Sequence, residues 1–390
     1  MQRKKIMVFC DYYLPGFKSG GGMWTVVNLI DRFHDRFDFY VVTRNHDGKA
    51  DRKPYDQVKT GEWNAVGPAR VFYLGPKHLN VRSFSKLIKE IKPDIVFLNS
   101  VFSRPSITFL RSRKNPELSR IPVIVSPCGE LSGATLKFKA AKKRAFLIYA
   151  KLAGLYRNVI WRASFEIDAQ EIRDAIGENI EVICAPDLPP NGILPDFSFS
   201  NKPTKRRGSV RFVFVSRLVR KKNLHYLLER LSSCTDGEIV LDIVGPIEDK
   251  EYWKECEAAA KTLPGNITVS VAGAMRYEEI LERMESAHFF VLPTLTENFG
   301  YVFIEALACG CPLLISDRTV WGAIVEKGSG WTVPIEDPPA WTRAIKECVE
   351  MDQEQFSQMA DAAREHALEW LADPSIEAAT ATLLERASRN

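Results

Sequence analysis

Short apolar runs alternate with longer amphipathic segments along the whole chain. Runs of about four to eight Val, Ile, Leu and Phe residues between turn signals are typical of buried strands, whereas apolar positions that recur about every three to four residues are typical of helices. Regular alternation of the two favours βαβ units and parallel sheets. The pattern therefore predicts an α/β protein.

The predicted elements fall into two similar halves. Strands of the first half are predicted at 6–10, 39–43, 71–74, 95–98, 123–126 and 180–184, and helices between them include 25–33 and 83–91. Strands of the second half are predicted at 212–215, 239–244, 267–271, 289–292 and 313–315. Only helical segments follow from 338 onward, and Asp373-Pro374 interrupts them.

The periodicity fails between 185 and 208, where prolines, Asn191-Gly192 and basic residues crowd together. Such a stretch is typical of a linker, and 390 residues exceed the ~250 to 300 that one core organises. The expected parts are an N-terminal domain over 1–190, a linker over 191–208, a C-terminal domain over 209–372 and a helix over 373–390 that can return to the first domain. Two Rossmann-like, doubly wound domains of this kind are expected to face an interdomain cleft where ligands bind.

Composition narrows the class of protein. With 45% hydrophobic and 26% charged residues, the chain resembles an average globular protein rather than a disordered or disulfide-rich one. The longest apolar runs fall far short of the ~20 residues of a membrane helix. The basic start at Met1–Lys5 precedes only five apolar residues, fewer than the ~7 of a secretory signal. We expect a cytoplasmic protein whose dispersed cysteines stay reduced.

The net charge of +4 hides an imbalance between the two halves. Residues 1–195 contain 31 Lys and Arg against 19 Asp and Glu, and the remainder contains 22 against 30. The first half is therefore net +12 and the second net −8. Such asymmetry favours an anionic partner for the first half.

A strand, a polar loop and a short helix are predicted between Phe289 and Pro312. The loop contains Glu297 and the helix contains Glu305, and the N–H groups of the first helical turn form an anion site suited to a diphosphate. Carboxylates beside phosphate repel it unless they bind something else, and sugar hydroxyls are suitable partners. Two Glu residues eight positions apart also arise by chance, but their place on a strand-loop-helix unit favours function.

Two further loops follow predicted strands. Arg217 and Lys222 offer a guanidinium and an ammonium, the two ways in which proteins hold phosphate oxygens, and Asn223 is a candidate N-cap for the next helix. A solvated basic loop is the alternative. Near the N-terminus, a loop with Gly21 and Gly22 precedes a helix, but Thr25 stands where a dinucleotide fingerprint needs glycine, which disfavours nicotinamide binding. A mobile surface turn is the alternative for this loop.

The segment 297–312 resembles the E-x7-E signature of retaining glycosyltransferases of the GT-B fold, family 4, with E-N-F-G followed by E-A-L-A-x-G-x-P. The resemblance extends over most of the chain and implies a nucleoside diphosphate sugar as donor, with no metal and no tightly bound cofactor. It implies catalytic roles for Arg217, Lys222 and Glu297, which would hold the departing diphosphate and the sugar. It implies donor binding by Gly21, Gly22, Asn298, Phe299, Gly300, Tyr301 and Glu305, the last holding the ribose.

The chain departs from that family at Cys128-Gly129, where many members have His-Gly. A side-chain base at this position is therefore in doubt, and no Asp or Glu is placed as a covalent nucleophile. We expect front-face transfer of a sugar to a glycan or lipid-linked acceptor, in polysaccharide assembly. A sugar-nucleotide epimerase or phosphorylase of the same fold, and a non-catalytic glycan-binding or partner subunit, are the alternatives.

The segment 131–165 contains eight basic residues and no acid, interleaved with aromatic and aliphatic residues. This pattern is typical of a basic amphipathic helix, which predicts docking on an anionic membrane surface or on a diphosphate-linked lipid. One face packed into the core beside a solvated basic face is an equal alternative. Nucleic acid is not an expected partner, because no recognised binding module accompanies the charge.

Overall fold

A computed structural model describes residues 3–48, 52–137, 140–191 and 202–389. The chain divides into two compact units. The first unit comprises residues 1–191 together with 374–390, and the second comprises 192–373. Of the predicted linker, residues 192–201 lie outside the described residues, and Lys202 and Lys205 are buried in the second unit.

The first unit contains, among its described residues, an eight-stranded sheet of order β3-β4-β2-β1-β5-β6-β7-β8. All neighbouring strands are parallel except the β3–β4 hairpin. The strands are β1 (Lys4–Cys10), β2 (Phe37–Arg44), β3 (Trp63–Val66), β4 (Ala69–Leu74), β5 (Ile95–Asn99), β6 (Val123–Ser126), β7 (Val159–Ala163) and β8 (Glu181–Cys184). Strands β1, β5, β6 and β7 are almost wholly buried, as expected of a parallel sheet covered on both faces.

Helices cover this sheet through their apolar faces. They are α1 (Gly21–Phe33), α2 (Val81–Ile91), α3 (Arg104–Ser112), α4 (Pro116–Ser119), α5 (Gly133–Lys137), α6 (Ala140–Leu152), α7 (Glu166–Ile176) and, from the end of the chain, α14 (Pro374–Ser388). Asn80 and Ser103 cap α2 and α3 by accepting main-chain hydrogen bonds. The core on one side of the sheet includes Phe9, which stacks on Phe84 and Phe109.

Helix α14 packs with the first unit although the second unit precedes it in sequence. Leu383 and Leu384 are buried, and Arg386 pairs with Glu181 at 2.7 Å. Glu377 pairs with Arg32 at 3.4 Å. The last helix is therefore part of the first unit's core.

The second unit contains a six-stranded parallel sheet within the described ranges, of order β11-β10-β9-β12-β13-β14. Its strands are β9 (Ser209–Val215), β10 (Glu238–Val244), β11 (Ile267–Gly273), β12 (Phe289–Leu292), β13 (Leu313–Ser316) and β14 (Gly330–Val333). Its helices are α8 (Leu224–Leu231), α9 (Lys250–Lys261), α10 (Tyr277–Glu285), α11 (Tyr301–Ala308), α12 (Pro338–Glu350) and α13 (Gln353–Leu371). The predicted fold class, α/β with two Rossmann-like doubly wound parts, is confirmed.

Several sequence predictions differ from the structure. Strands β3, β7 and β14 were not predicted, and α1 begins at Gly21 rather than at position 25. The basic segment 131–165 is not one helical region, because it ends in the buried strand β7. Trp161 and Arg162 therefore belong to the core rather than to an outward basic face. Among the described residues, no helix has both the length and the apolar composition needed to cross a bilayer.

Candidate functional site

The order of the second sheet reverses between β9 and β12, since β10 and β11 continue on one side and β13 and β14 on the other. Such a switch point opens a crevice at the carboxyl ends of the two strands. Arg217 and Lys222 follow β9, and Glu297 follows β12. The topology thus brings together residues that are far apart in sequence.

The loop after β9 is fixed by its contact with the end of β10. Ser216 N–H donates to the Val244 carbonyl at 2.9 Å, and Leu218 N–H donates to the Pro246 carbonyl at 2.9 Å. Gly245 has a φ of +140°, and a Cβ there would lie 1.8 Å from the Ser216 carbonyl oxygen. Only glycine allows this approach, which sets the main chain that carries Arg217.

Lys222 and Glu297 form an ion pair between the two loops. Their side chains are 10% and 14% exposed, so the pair is largely shielded from water. Burial would raise the pKa of Glu297, but the positive charges of Lys222, Lys221 and Arg217 outweigh it and lower the pKa to about 2. Glu297 is therefore a carboxylate at neutral pH, surrounded by cations.

Arg217 is paired with Glu248, in the loop between β10 and α9, at 3.2 Å. The guanidinium is 34% exposed and the carboxylate 13%, which leaves part of the guanidinium open to water. The sequence analysis did not identify Glu248. The sequence does contain one indication of Glu248: it closely follows Val244-Gly245-Pro246, a turn at the end of β10, the strand next to β9.

Asn223 differs from the predicted N-cap of α8. It occupies the N-cap position, but its backbone is left-handed, with a φ of 59°, and its side chain makes no capping hydrogen bond. A 3₁₀ turn over Arg220–Lys222 precedes it. This turn tightens the chain and directs the Lys222 side chain toward the loop after β12.

Gly300 is the N-cap of α11 and has a φ of +76°. A Cβ there would lie 2.7 Å from the Phe303 ring and 2.9 Å from the Glu297 Cγ. The glycine therefore permits both the left-handed turn and the close approach of Glu297. The first amides of a helix lack acceptors within it, and this N-terminus lies directly after Glu297.

The neighbours of Gly300 are held by aromatic packing. The Phe299 carbonyl accepts a hydrogen bond from Trp321 Nε1 at 2.7 Å, and its ring stacks on Trp370 with centroids 4.9 Å apart. Tyr301 is also buried, and Asn298 is half-buried. The side chains of Phe299 and Tyr301 thus stabilise the loop, and any donor contact by them would come from the main chain.

Glu305 lies in the second turn of α11 and is buried. Burial raises its pKa to about 8. The Tyr277 hydroxyl, in α10, also has a raised pKa, chiefly because it is buried. The two acids of the motif therefore differ: Glu297 is ionised at neutral pH, whereas Glu305 keeps its proton.

The predicted glycines of the first unit lie at its own switch point, between β1 and β5. Gly21 and Gly22 form the first turn of α1, and Asn99, at the end of β5, donates to the Gly22 carbonyl at 2.5 Å. The preceding loop is held by Asp47, which accepts hydrogen bonds from Phe17 and Lys18 N–H groups at 2.8 and 3.1 Å. Main-chain amides of that loop are thus already engaged by a carboxylate.

Cys128 follows β6 with a left-handed φ of 51°. Its thiol donates to Asn99 Oδ1 at 3.2 Å. Burial, followed by the charge of Asp187, raises the pKa of the thiol to about 12. Cys128 is therefore a neutral thiol and does not supply a base at this position.

A buried polar network lies beside Cys128. Arg162 pairs with Asp187 at 3.1 Å, and both side chains are about 5% exposed or less. Ser126, Ser164 and Thr25 also bond to this pair. The network connects β6, β7 and α1 and satisfies the buried charges. The sequence analysis missed it because its members are distant in sequence.

The structure therefore brings Arg217, Lys222 and Glu297 together, with Asn298, Phe299, Gly300 and Tyr301 adjoining them and Glu305 further along the same helix. Gly21 and Gly22 lie in the first unit. Within the described ranges, no group of three or more His, Cys, Asp or Glu side chains could hold a metal ion.

Comparison with known proteins extends these observations. Residues 196–366 match the family described as Glycosyl transferases group 1. The chain is 30% identical over 161 residues to the D-inositol 3-phosphate glycosyltransferase of Corynebacterium urealyticum, covering 40% of this chain and 38% of that protein. It is 24% identical over 179 residues to the colanic acid biosynthesis glycosyltransferase WcaL of Escherichia coli, described as putative, covering 43% of each. The chain thus spans about two fifths of the length of these curated relatives.

A solved structure covers nearly the whole chain. HepE of Anabaena, in complex with UDP and glucose, is 17% identical, covers 98% of this chain and 100% of that one, and has a TM-score of 0.71. At this identity the likeness shows the fold alone. The match to Glycosyl transferases group 1 thus covers residues 196–366, and the chain has the GT-B fold of solved glycosyltransferases.

Proposed function

We propose that this protein is a retaining glycosyltransferase that moves a hexosyl group from a nucleoside diphosphate sugar to a glycan or lipid-linked acceptor. The observation that carries the proposal is the Lys222–Glu297 ion pair beside Arg217 at the N-terminus of α11. Two cations and a helix N-terminus attract a diphosphate. A carboxylate that stays ionised beside them accepts hydrogen bonds from sugar hydroxyls.

The donor class is supported by the family match and by the relatives. The matched segment contains each proposed donor residue of the second unit. The fold neighbour HepE was solved with UDP and glucose. A nucleotide sugar has both the anionic diphosphate and the hydroxyls that Arg217, Lys222 and Glu297 are suited to bind.

In the proposed reaction, the bond between the anomeric carbon and the diphosphate oxygen breaks. The acceptor hydroxyl oxygen bonds to the same face of that carbon, and its proton passes to the departing phosphate. Arg217, Lys222 and the first amides of α11 stabilise the charge that develops on the diphosphate. Since these groups belong to the chain, we expect activity without a metal ion.

The protonation states of three side chains support this assignment. Glu297, with its pKa near 2, holds the sugar as a carboxylate. Glu305, with its pKa near 8, can donate as well as accept a hydrogen bond toward the ribose hydroxyls. The neutral thiol of Cys128 leaves proton removal to the phosphate itself.

The acceptor is proposed from the relatives rather than from the site. The match to WcaL supports polysaccharide assembly, and the match to the inositol phosphate enzyme shows that acceptors differ among these relatives. Gly21 and Gly22 are proposed as donor-binding residues of the first unit, where hydrogen bonds through Asn99 connect Gly22 to Cys128. Thermal-shift screening against UDP-, GDP-, ADP- and dTDP-sugars would identify the donor, because a ligand at 100 times its Kd adds ~2.7 kcal/mol of stability.

The site assignment is tested by Lys222→Met and Glu297→Gln. We expect each variant to lose at least about a hundredfold in kcat/KM, as measured by release of nucleoside diphosphate in the presence of acceptor. Lys254→Met is the matched control, since Lys254 lies on the same unit with an exposed side chain, and it should retain full activity. Chelation with EDTA should leave the rate unchanged.

Other outcomes distinguish the alternatives. Full activity of Lys222→Met would contradict the site assignment. Conversion of the donor without acceptor would indicate an epimerase, and phosphate-dependent cleavage of a glycan would indicate a phosphorylase. Binding of the donor with no turnover under any acceptor would indicate a non-catalytic subunit.

A further inference from the structure

Helix α6 presents an apolar stripe to the outside of the first unit. Ile148 is 61% exposed and Leu152 is 84% exposed, and Ala141 and Ala145 are exposed on the same face. The spacing of these four residues, at intervals of three and four, places them in one row along a helix of 3.6 residues per turn. Exposed large apolar side chains in a row are uncommon on a soluble surface.

Basic side chains flank this stripe on both sides. On the helical wheel, Arg144 and Lys151 lie along one border, and Lys142 lies toward the other. All three are exposed, and within the described residues none of them forms an ion pair with an acid. Tyr149, 38% exposed, adjoins the stripe beneath the Arg111 guanidinium, 5.7 Å from its ring centroid.

The opposite face of α6 is anchored in the first unit. Ala150 is fully buried, and the Phe146 ring lies 5.9 Å from that of Phe102. Lys143, on this inner side, donates to the Thr135 carbonyl at 2.8 Å. These contacts fix the rotation of α6 about its own axis. The apolar stripe and the basic residues beside it therefore face outward in a defined orientation.

We propose that this face of α6 docks on a lipid bilayer that contains anionic headgroups. An apolar strip enters the boundary between headgroups and acyl chains, and cations at its borders pair with anionic phosphates. The charge argument extends beyond the helix, because residues 1–195 are net +12. A protein partner would need acidic side chains matched to each cation, whereas a bilayer needs only a negative surface.

This proposal is narrower than the sequence-based expectation for 131–165. Arg162 pairs with Asp187 in the core, and Trp161 is buried in β7, so neither reaches a membrane. The docking face consists of α6, with Lys142, Arg144, Ile148, Lys151 and Leu152 as its contacts. It is independent of the proposed function, because it makes no use of the donor site.

The test is co-sedimentation of the full chain with vesicles of phosphatidylcholine alone or with phosphatidylglycerol added. We expect binding to the anionic vesicles only, reduced by salt. Arg144→Gln with Lys151→Gln should weaken binding about 25-fold, at about fivefold per cation. Ile148→Ser with Leu152→Ser should weaken it about tenfold or more, because the strip no longer inserts.

Matched control variants distinguish binding through α6 from an effect of exposed cations or apolar side chains elsewhere on the first unit. Ile167→Ser replaces another exposed isoleucine of the first unit, 68% exposed on α7, and Arg82→Gln with Lys86→Gln removes two exposed cations of α2. Both control variants should bind like the unaltered chain. Equal binding to neutral and anionic vesicles would overturn the proposal, as would an equal loss in the controls. Far-UV circular dichroism confirms that each variant is folded, and the two α6 variants are independent tests.

Discussion

The carboxyl edges of the two sheets both contain a cation paired with a carboxylate, but the pairs differ in their access to water. In the first unit, the side chains of Arg162 and Asp187 are 4% and 5% exposed. In the second, those of Arg217 and Glu248 are 34% and 13% exposed. Lys222, at 10%, is intermediate between the two arginines, and Glu297, at 14%, is about as exposed as Glu248.

This difference indicates different tasks. A fully buried pair cannot exchange its partner without leaving an uncompensated charge, so Arg162–Asp187 maintains the shape of the first unit. A partly exposed guanidinium can exchange a carboxylate for a phosphate at little cost. We therefore expect the Arg217–Glu248 pair to open when an anion binds. Mutation of the Arg162–Asp187 pair should instead lower the stability of the first unit.

The largest effect is expected from Asp187→Asn. Removing one partner of a buried pair takes the Asp187 charge away from Arg162 and should lower the free energy of unfolding by about 3–5 kcal/mol. Chemical denaturation measures this change. Glu377→Gln, which breaks an exposed pair with Arg32 in the same unit, is the control and should cost at most about 1 kcal/mol. Equal costs would contradict the comparison.

The second prediction concerns Glu305 and pH. Its pKa is about 8 in the folded chain against an ordinary value of 4.5, so between these values the folded state keeps a proton that the unfolded state releases. Stability therefore declines as pH rises from about 4.5 to 8. Glu305→Gln has no proton to lose, so its free energy of unfolding relative to that of the unaltered chain should rise by roughly 4 kcal/mol between pH 5 and 9.

Thermal and denaturant unfolding at several pH values would measure that difference. Parallel stability curves for Glu305→Gln and the unaltered chain would show that Glu305 is ionised in the folded state. The pH dependence of stability contributed by Glu297 has the opposite sign, because the pKa of Glu297 is lowered to about 2. Its contribution is present above pH 4.5 and is lost as pH falls toward 2.

The smallest effect is expected from Glu248→Gln. Without that carboxylate, no charged side chain at position 248 competes with an incoming phosphate for the Arg217 guanidinium. Nucleoside diphosphate should therefore bind about two- to fivefold more tightly. Isothermal titration calorimetry measures the change. Glu255→Gln breaks the neighbouring exposed pair with Arg220 and should leave the affinity unaltered. Weaker binding in Glu248→Gln would show instead that Glu248 holds Arg217 in position.

Local signals made part of the site predictable. Glu297, Gly300 and Glu305 lie on one strand-loop-helix unit of fewer than thirty residues, so their place on that unit, rather than their spacing, predicted a diphosphate site at a helix N-terminus. Arg217 and Lys222 were likewise predicted from the end of a single strand. What they contact was not predictable, since Glu248 approaches Arg217 only through the pairing of β9 with β10.

The main wrong prediction is that residues 131–165 form one basic helical region. It is explained by a counter-charge from a distant part of the chain. The segment 131–165 contains eight cations and no acid, which predicted a basic amphipathic helix, with one face packed into the core as an equal alternative. The structure places Arg162 in strand β7 because Asp187, in a proline-rich stretch after β8, neutralises its charge. Periodicity cannot reveal a counter-charge that is supplied from another part of the chain.

The packing of α14 has a consequence for synthesis and for fragment design. Leu383 and Leu384 are buried against the unit formed by residues 1–191. During synthesis, the whole second unit is therefore made before α14 can cover the apolar surface of the first unit. A fragment cut at 191 would expose Leu29 and Phe97, which line the place where this helix packs. Such a fragment would aggregate, whereas joining 374–390 to it by a short linker should restore a soluble unit.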